Sequence, residues 1–161
     1  AKENAMISPE LLKRYPFFAG MTQSQLGEIA MLAQETTFEQ EKILFEECDE
    51  ANQLFLLLEG SIDLLYRSVE EYDPSSTPKQ FLVGEINPGE VFGTSALIEP
   101  HEYNATARAA RFCKVVIIDA VGIRKLLQQD LDLGNKLLIQ VIKVLKERII
   151  ALRVQVATIQ P

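Results

Sequence analysis

The sequence predicts a mainly β domain with flanking helices, on three observations. From Thr36 to Ile118 it runs as short β-branched or aromatic segments cut by turn residues: TTFEQ, KILFE, QLFLLL, SIDLLY, QFLVGEI, EVFG, NATARAA and KVVIID. Eight short strands at that spacing argue a sandwich or barrel. On either side of this region the apolar residues switch to helical spacing. The chain, 161 residues and 47% hydrophobic with 8 Gly and 7 Pro, is long enough to bury one core and too short for two comfortable domains.

Taken in order, residues 1–7, opening AKENA, lack periodicity and are expected to be a loose tail or an expression remnant. Residues 8–135 form the expected body. Ser8 and Pro9 supply an N-cap and first-turn proline for a short helix through Leu11 and Leu12, stopped before Pro16. Thr22 and Gln25 make a capping-box pattern ahead of Leu26, Ile29, Ala30, Leu32 and Ala33 at helical spacing. Among the strands, Glu59-Gly60 and Pro88-Gly89 mark tight reversals, and VEEYDPSSTPK, residues 69–79, reads as a solvated surface loop. Asp119 is an N-cap for a helix that turns Ile123, Leu126 and Leu127 inward.

A longer helix is expected from about Asp132, with residues 136–161 as a dimerisation segment. Leu138, Ile142, Leu145, Ile149, Leu152, Val156 and Ile159 follow one another by steps of four and three, a heptad seam that wants a partner helix, here a second copy of the chain. Packing of this stripe on its own β body is the alternative. Leu137, Val141, Val144, Ile150 and Val154 widen the apolar surface toward the body, and Arg148 and Arg153 flank the seam where they would repel across a parallel pair.

Charge divides the chain. Residues 1–135 carry 11 Lys and Arg against 22 Asp and Glu, a balance of −11, whereas residues 136–161 carry 5 against 1, a balance of +4. An acidic body of this kind repels nucleic acid, and the basic helix complements it. The longest apolar runs, such as LFLLL at 54–58, are far short of a bilayer span, and no signal-peptide pattern opens the chain, so a cytoplasmic location is expected. Cys48 and Cys113 have no metal-ligand spacing and read as small core or strand residues. His101 is the single histidine, in a surface loop, so no metal, cofactor or histidine-based catalysis is expected.

Three stretches together resemble the cyclic nucleotide-binding domain, as found in protein kinase A regulatory subunits and the bacterial catabolite-activator family. LLKRYPFFAGMTQSQLGEIA resembles the helical lead-in. LFLLLEGSIDLLY resembles the aromatic strand, Glu-Gly turn and following strand. INPGEVFGTSAL with NATARA resembles the phosphate-binding cassette. The resemblance spans roughly residues 10–155 and implies an eight-stranded, double-stranded β-roll of jelly-roll type, a ligand held inside it, dimerisation through the last helix, and no catalysis.

The cassette departs from the family where the charge should be. Thr94 stands where the family has the glutamate that holds the ribose hydroxyl, and Tyr103 where it has the arginine that neutralises the cyclic phosphate; Cys48 and Ala51 replace two usual glycines. Losing one partner of a buried ion pair costs about 3–5 kcal/mol, or roughly two to three and a half decades of affinity. Residues 81–104 contain Glu85, Glu90, Glu99 and Glu102 and no Lys or Arg to substitute. If Tyr103 points into the roll, alternation sends Ala105, Ala107 and Ala109 inward and Asn104, Thr106 and Arg108 outward, so Arg108 has the wrong parity. Arg148 is a candidate substitute, because relatives place polar residues of the dimer helix over the bound base. The remaining ligand-binding candidates are Gly93, the amides of Thr94, Ser95 and Ala96, and the side chains of Thr94, Ser95, Tyr103 and Asn104. Three states stay open: a pocket filled by the Tyr103 ring, a changed ligand that is neutral or singly charged, or a retained cyclic nucleotide.

The expected function is a non-enzymatic regulatory or sensor module, dimeric, with weak or lost cyclic nucleotide binding. The alternative is the sensory domain of a ligand-responsive transcription regulator without its own helix-turn-helix, since two residues follow Ile159.

Overall fold

In the computed structural model, residues 5–68, 75 and 77–160 are described. The expected loop at 69–79 therefore lies largely outside the described residues. All eight expected strands are present: β2 (Ala33–Phe38), β3 (Ile43–Phe45), β4 (Gln53–Glu59), β5 (Ile62–Ser68), β6 (Lys79–Ile86), β7 (Val91–Phe92), β8 (Thr106–Ala109) and β9 (Cys113–Asp119). A further short strand, β1 (Ala5–Met6), pairs with Gln34 and Glu35, and Ile7 after it is buried, so order begins inside the stretch expected to be a tail.

The strands form two antiparallel sheets, β1-β2-β9-β4-β7 and β3-β8-β5-β6, that face each other as a β-roll. Strand β4 shows why LFLLL is uniformly apolar rather than alternating. Leu54 and Leu56 point to a core shared with the helices, while Phe55 and Leu57 point between the sheets with Phe45, Ile62, Ile86, Phe92 and Val115. A strand covered on both faces has no solvent side to mark with polar residues.

Helix α1 (Pro9–Lys13) is capped by Ser8, whose hydroxyl accepts from the Leu11 amide, and a short 3-10 turn (Pro16–Phe18) buries Phe17 and Phe18. Helix α2 (Gln23–Met31) carries the full capping box of Thr22 and Gln25. Leu32 and Ala33, expected in this helix, fall outside it: Leu32 is the C-cap and Ala33 opens β2 opposite Ile118, where ladder pairing overrides helical periodicity. Helix α3 (Ala120–Gln129) starts at the Asp119 cap.

Helix α4 (Leu131–Ile159) packs its first half on the body through Leu133, Leu137, Val141 and Val144. Ile150 and Val154, expected to reach the body, are exposed, as is every residue from Ala151 to Gln160. No helix among the described residues is long and apolar enough to cross a membrane.

A polar clasp fixes the start of α4 to α2. The Gln25 amide nitrogen donates to Asp130 Oδ2 at 3.2 Å and Asp132 Oδ2 at 2.9 Å, and Lys136 Nζ reaches Gln25 Oε1 at 3.3 Å and Asp132 Oδ2 at 2.8 Å. The bonds from Lys136 and then Gln25 hold the Asp132 carboxyl below its ordinary value of 3.8. A lowered folded-state value means stability that is present above the unfolded value and lost as pH falls through the folded one. Asp132→Asn is therefore expected to have a lower urea midpoint than the parent near neutrality, with the gap closing as pH is taken well below 3.8. A gap constant with pH would remove the carboxylate from the clasp.

Candidate ligand-binding site

A cavity of about 860 Å³ opens between the four-stranded sheet, the segment 92–105 and the middle of α4. That size is ordinary for a small-molecule site. Phe92, Gly93, Thr94 and Ser95 enter from the end of β7, and Glu102 to Ala105 from the approach to β8. Phe45 comes from β3, Leu64 and Tyr66 from β5, and Leu145, Arg148, Ile149 and Leu152 from α4.

Gly93 turns the chain from β7 into a second 3-10 turn (Thr94–Leu97) with φ 75°, and a Cβ there would sit 2.9 Å from Phe55 Cδ2. Only a glycine fits this left-handed, crowded position. Thr94 and Ser95 follow at the cavity wall. Ala96, expected beside them, is not on the wall: its side chain is fully buried, its amide donates to the Gly93 carbonyl at 3.1 Å, and its carbonyl accepts from Arg124 Nη1 at 3.1 Å. Closing the 3-10 turn consumes the amide. Arg124 was not legible as a site residue; its Nη2 also donates to Asn52 Oδ1 at 3.1 Å, so it ties α3 to the cassette turn and to the loop before β4.

Tyr103 does point into the roll. Its ring stacks on Phe45 with centroids 3.8 Å apart, its hydroxyl donates to the Gln53 carbonyl at 2.7 Å, and the Gln53 amide donates back to that oxygen at 3.2 Å. Burial pushes the phenol up to about 12, outweighing the lowering effect of the Gln53 bond, so it is neutral across the physiological range. The ring thus occupies the position expected of the arginine without filling the cavity, which remains open beside it.

Strand parity places Ala107 and Ala109 in the core and Ala105 on the cavity wall. Arg108 faces outward, with Nη2 3.2 Å from Asp63 Oδ2 and Nε 3.8 Å from Glu41 Oε2. Thr106, also expected to face solvent, is buried because the loop before β4 folds over it and the Glu47 amide donates to its Oγ1 at 3.0 Å. Asn104 is exposed at the cavity rim. Of the two cysteines, Cys113 is a core strand residue, its Sγ donating to the Ser61 carbonyl at 3.2 Å, but Cys48 is exposed at the rim with φ 72°. The backbone at Cys48 is left-handed, a conformation that glycine adopts more readily than cysteine.

Glu47, Glu85, Glu99 and Glu102 all contribute to the lining, and Arg148 is the one cation among the described lining residues. Arg148 is half-buried between this cavity and a neighbouring one of about 570 Å³ under α4, with Nη1 3.8 Å from the point a Cβ would occupy on Gly84. No hydrogen bond or ion pair holds it among the described residues. Burial draws the guanidinium below its usual value, while Glu90 and Glu147 act the other way. The apolar lining residues from β3, β5 and α4 were not read as a site from the sequence, although their alternation along each strand was the available signal.

The arrangement matches known proteins closely. A sequence description of the cyclic nucleotide-binding domain fits residues 35–130. A crystal structure from Geobacter metallireducens GS-15, named for cyclic nucleotide binding, is 35% identical, with 89% of this chain and 99% of that chain covered and a TM-score of 0.77. The sensor domain of the transcriptional regulator DNR from Pseudomonas aeruginosa shares the fold at 18% identity, covering 87% of this chain and 94% of that one, with a TM-score of 0.66. A Rhodopseudomonas palustris protein named for a potassium channel is 20% identical over 84% of this chain, which spans about a third (31%) of that relative's length. With β-roll, cassette turn and closing helix in the family's order, and the match extending over more than half its length, the chain belongs to the cyclic nucleotide-binding domain family.

Proposed function

We propose that this domain is a non-enzymatic regulatory or sensor module, cytoplasmic, that dimerises through α4 and binds cyclic nucleotides weakly or not at all. One observation carries the ligand side of this reading. The cavity is intact, but the position where the resemblance implies a guanidinium for a cyclic phosphate presents a neutral phenol already bonded to Gln53, and the described cavity lining includes four glutamates. An anion entering there meets no counter-charge at the cassette and repulsion at the rim. Calorimetric titration with cyclic AMP and cyclic GMP is expected to give dissociation constants weaker than about 1 μM, given the decades of affinity an absent arginine removes. A submicromolar constant for either would reject the reading.

Exposure of the heptad stripe supports dimerisation. Leu138, Ile142, Leu145, Ile149, Leu152 and Val156 are each between 39% and 63% exposed in the single chain, a run of apolar side chains at heptad spacing of the kind that a partner helix covers. Light scattering is expected to return the mass of a dimer for the parent protein and of a monomer for Ile142→Glu, which lies on the seam and outside the cavity. A monomeric parent would sink the dimer.

Similarity to the DNR sensor domain favours a second reading, in which the same module is the sensory part of a transcription regulator. Its acidic body leaves DNA contact to another segment or chain. Gel shifts with the domain alone are expected to show no retardation.

A further inference from the structure

The structure assigns to the cavity an amphipathic monocarboxylate, its carboxylate gripped by Arg148 and its apolar body lying among Leu64, Phe92, Ile98, Leu145 and Leu152. This rests on the sensor reading and names the ligand class for that site. Three features of the cavity converge on it.

The first is the state of Arg148. A half-buried guanidinium without a hydrogen-bond or ion-pair partner among the described residues is costly, since burial removes water from a fixed charge and no hydrogen bond replaces it. The carboxylates of Glu90 and Glu147 act on it only at a distance, leaving its planar fork of donors free for a planar, two-oxygen acceptor. The second is the wall. Phe92, Leu64 and Ile98 from the roll face Leu145 and Leu152 from α4, so most of the volume away from Arg148 accepts hydrocarbon rather than hydroxyl-rich or phosphorylated groups.

The third is the sign and number of charges. The described lining residues include four glutamates and one arginine, with Glu85 accepting from the Ser61 hydroxyl and Glu47 from the Arg67 amide. An anion held at the cassette finds no cation beside it, a neutral ligand leaves the guanidinium unpaired, and a single negative charge placed at Arg148 pairs the cation on the α4 side, with the apolar wall favouring a carboxylate on a hydrocarbon body over a phosphorylated sugar. The bare Gly84 lets the guanidinium settle against β6 at the cavity edge, with Nη1 3.8 Å from where a Cβ would stand.

The test uses two probes of nearly equal shape, naphthaleneacetate and its uncharged amide, followed by intrinsic naphthalene fluorescence with the parent domain, Arg148→Gln and Arg153→Gln. Arg153 lies on the same helix outside this cavity, so it controls for adsorption to the exposed seam. The parent is expected to bind the acid more tightly than the amide by about ten- to a hundredfold, as a charge-assisted pair in a partly desolvated site contributes. Arg148→Gln should abolish that preference and leave amide binding unchanged, with Arg153→Gln behaving as the parent. Equal binding of acid and amide by the parent, no binding of the acid, or equal losses in both variants would overturn the assignment. Submicromolar cyclic AMP binding that survives in Arg148→Gln would instead strike the underlying reading of weak or lost cyclic nucleotide binding, so the two failures are distinguishable.

Discussion

Gly60→Ala is expected to cost the fold about 2–6 kcal/mol, read as a fall in the urea midpoint, from backbone strain and overpacking acting together. Gly60 makes the reversal between β4 and β5 with φ 103°, and a Cβ there would lie 2.5 Å from the Phe112 carbonyl oxygen, 2.7 Å from Cys113 Sγ and 3.0 Å from Cys113 Cα. Two of those three atoms are backbone at the start of β9, which is hydrogen-bonded on both sides, to β2 and β4, and cannot move aside without breaking ladder bonds. The Cys113 thiol, bonded to the Ser61 carbonyl, is equally confined. The same substitution at Gly27, inside α2 with nothing within 4 Å of the added carbon, should stabilise instead, by about 0.5–1 kcal/mol from helix propensity and a less flexible unfolded chain. Opposite signs for one chemical change isolate the turn. A Gly60→Ala midpoint within error of the parent's would mean that the β4–β5 turn relaxes freely.

How far the sequence reached follows from which signals are local. Strand runs, caps and turn residues act over a few positions, so β2 to β9, the Thr22–Gln25 box and the Glu59-Gly60 reversal were legible. Misreadings arose where a distant segment decides. Ala33 leaves the helix because β9 offers it a partner, and Thr106 is buried because the loop carrying Glu47 folds over it, neither visible within a short window. Ile150 and Val154 share the apolar character of Val141, but α4 has by then run past the body, which depends on where the β-roll ends in space. The cassette itself was legible as a departure from a pattern. Its packing was not legible: Tyr103, at the position where the resemblance implies an arginine, lies flat on Phe45 and leaves the volume open beside it, an outcome that residue type alone cannot tell. Arg124, bridging Ala96 and Asn52, left no trace because its two partners lie 28 and 72 positions away.

Phe55→Ala is expected to be the most damaging single truncation near the site, at about 3–5 kcal/mol out of a total that for domains of this kind is about 5–15. Phe55 is 1% exposed, and its ring lies 5.1 Å from Phe92 and 5.3 Å from Phe45, so removing it undermines both aromatic walls that hold the cassette turn and Tyr103. The ring also sets the room available at Gly93, being the nearest atom to a Cβ added there, 2.9 Å away. That shared contact makes the two positions interdependent. Gly93→Ala should destabilise the parent strongly and the Phe55→Ala protein less, because the atom it collides with has gone and only the Gln53 carbonyl at 3.3 Å and the left-handed backbone still oppose it. In a double-mutant cycle the coupling is expected at about 1–3 kcal/mol, with the double variant more stable than the sum of single effects predicts. Strict additivity would show that the cassette turn yields independently of the aromatic wall beneath it, and that the position of Thr94 and Ser95 does not depend on that core.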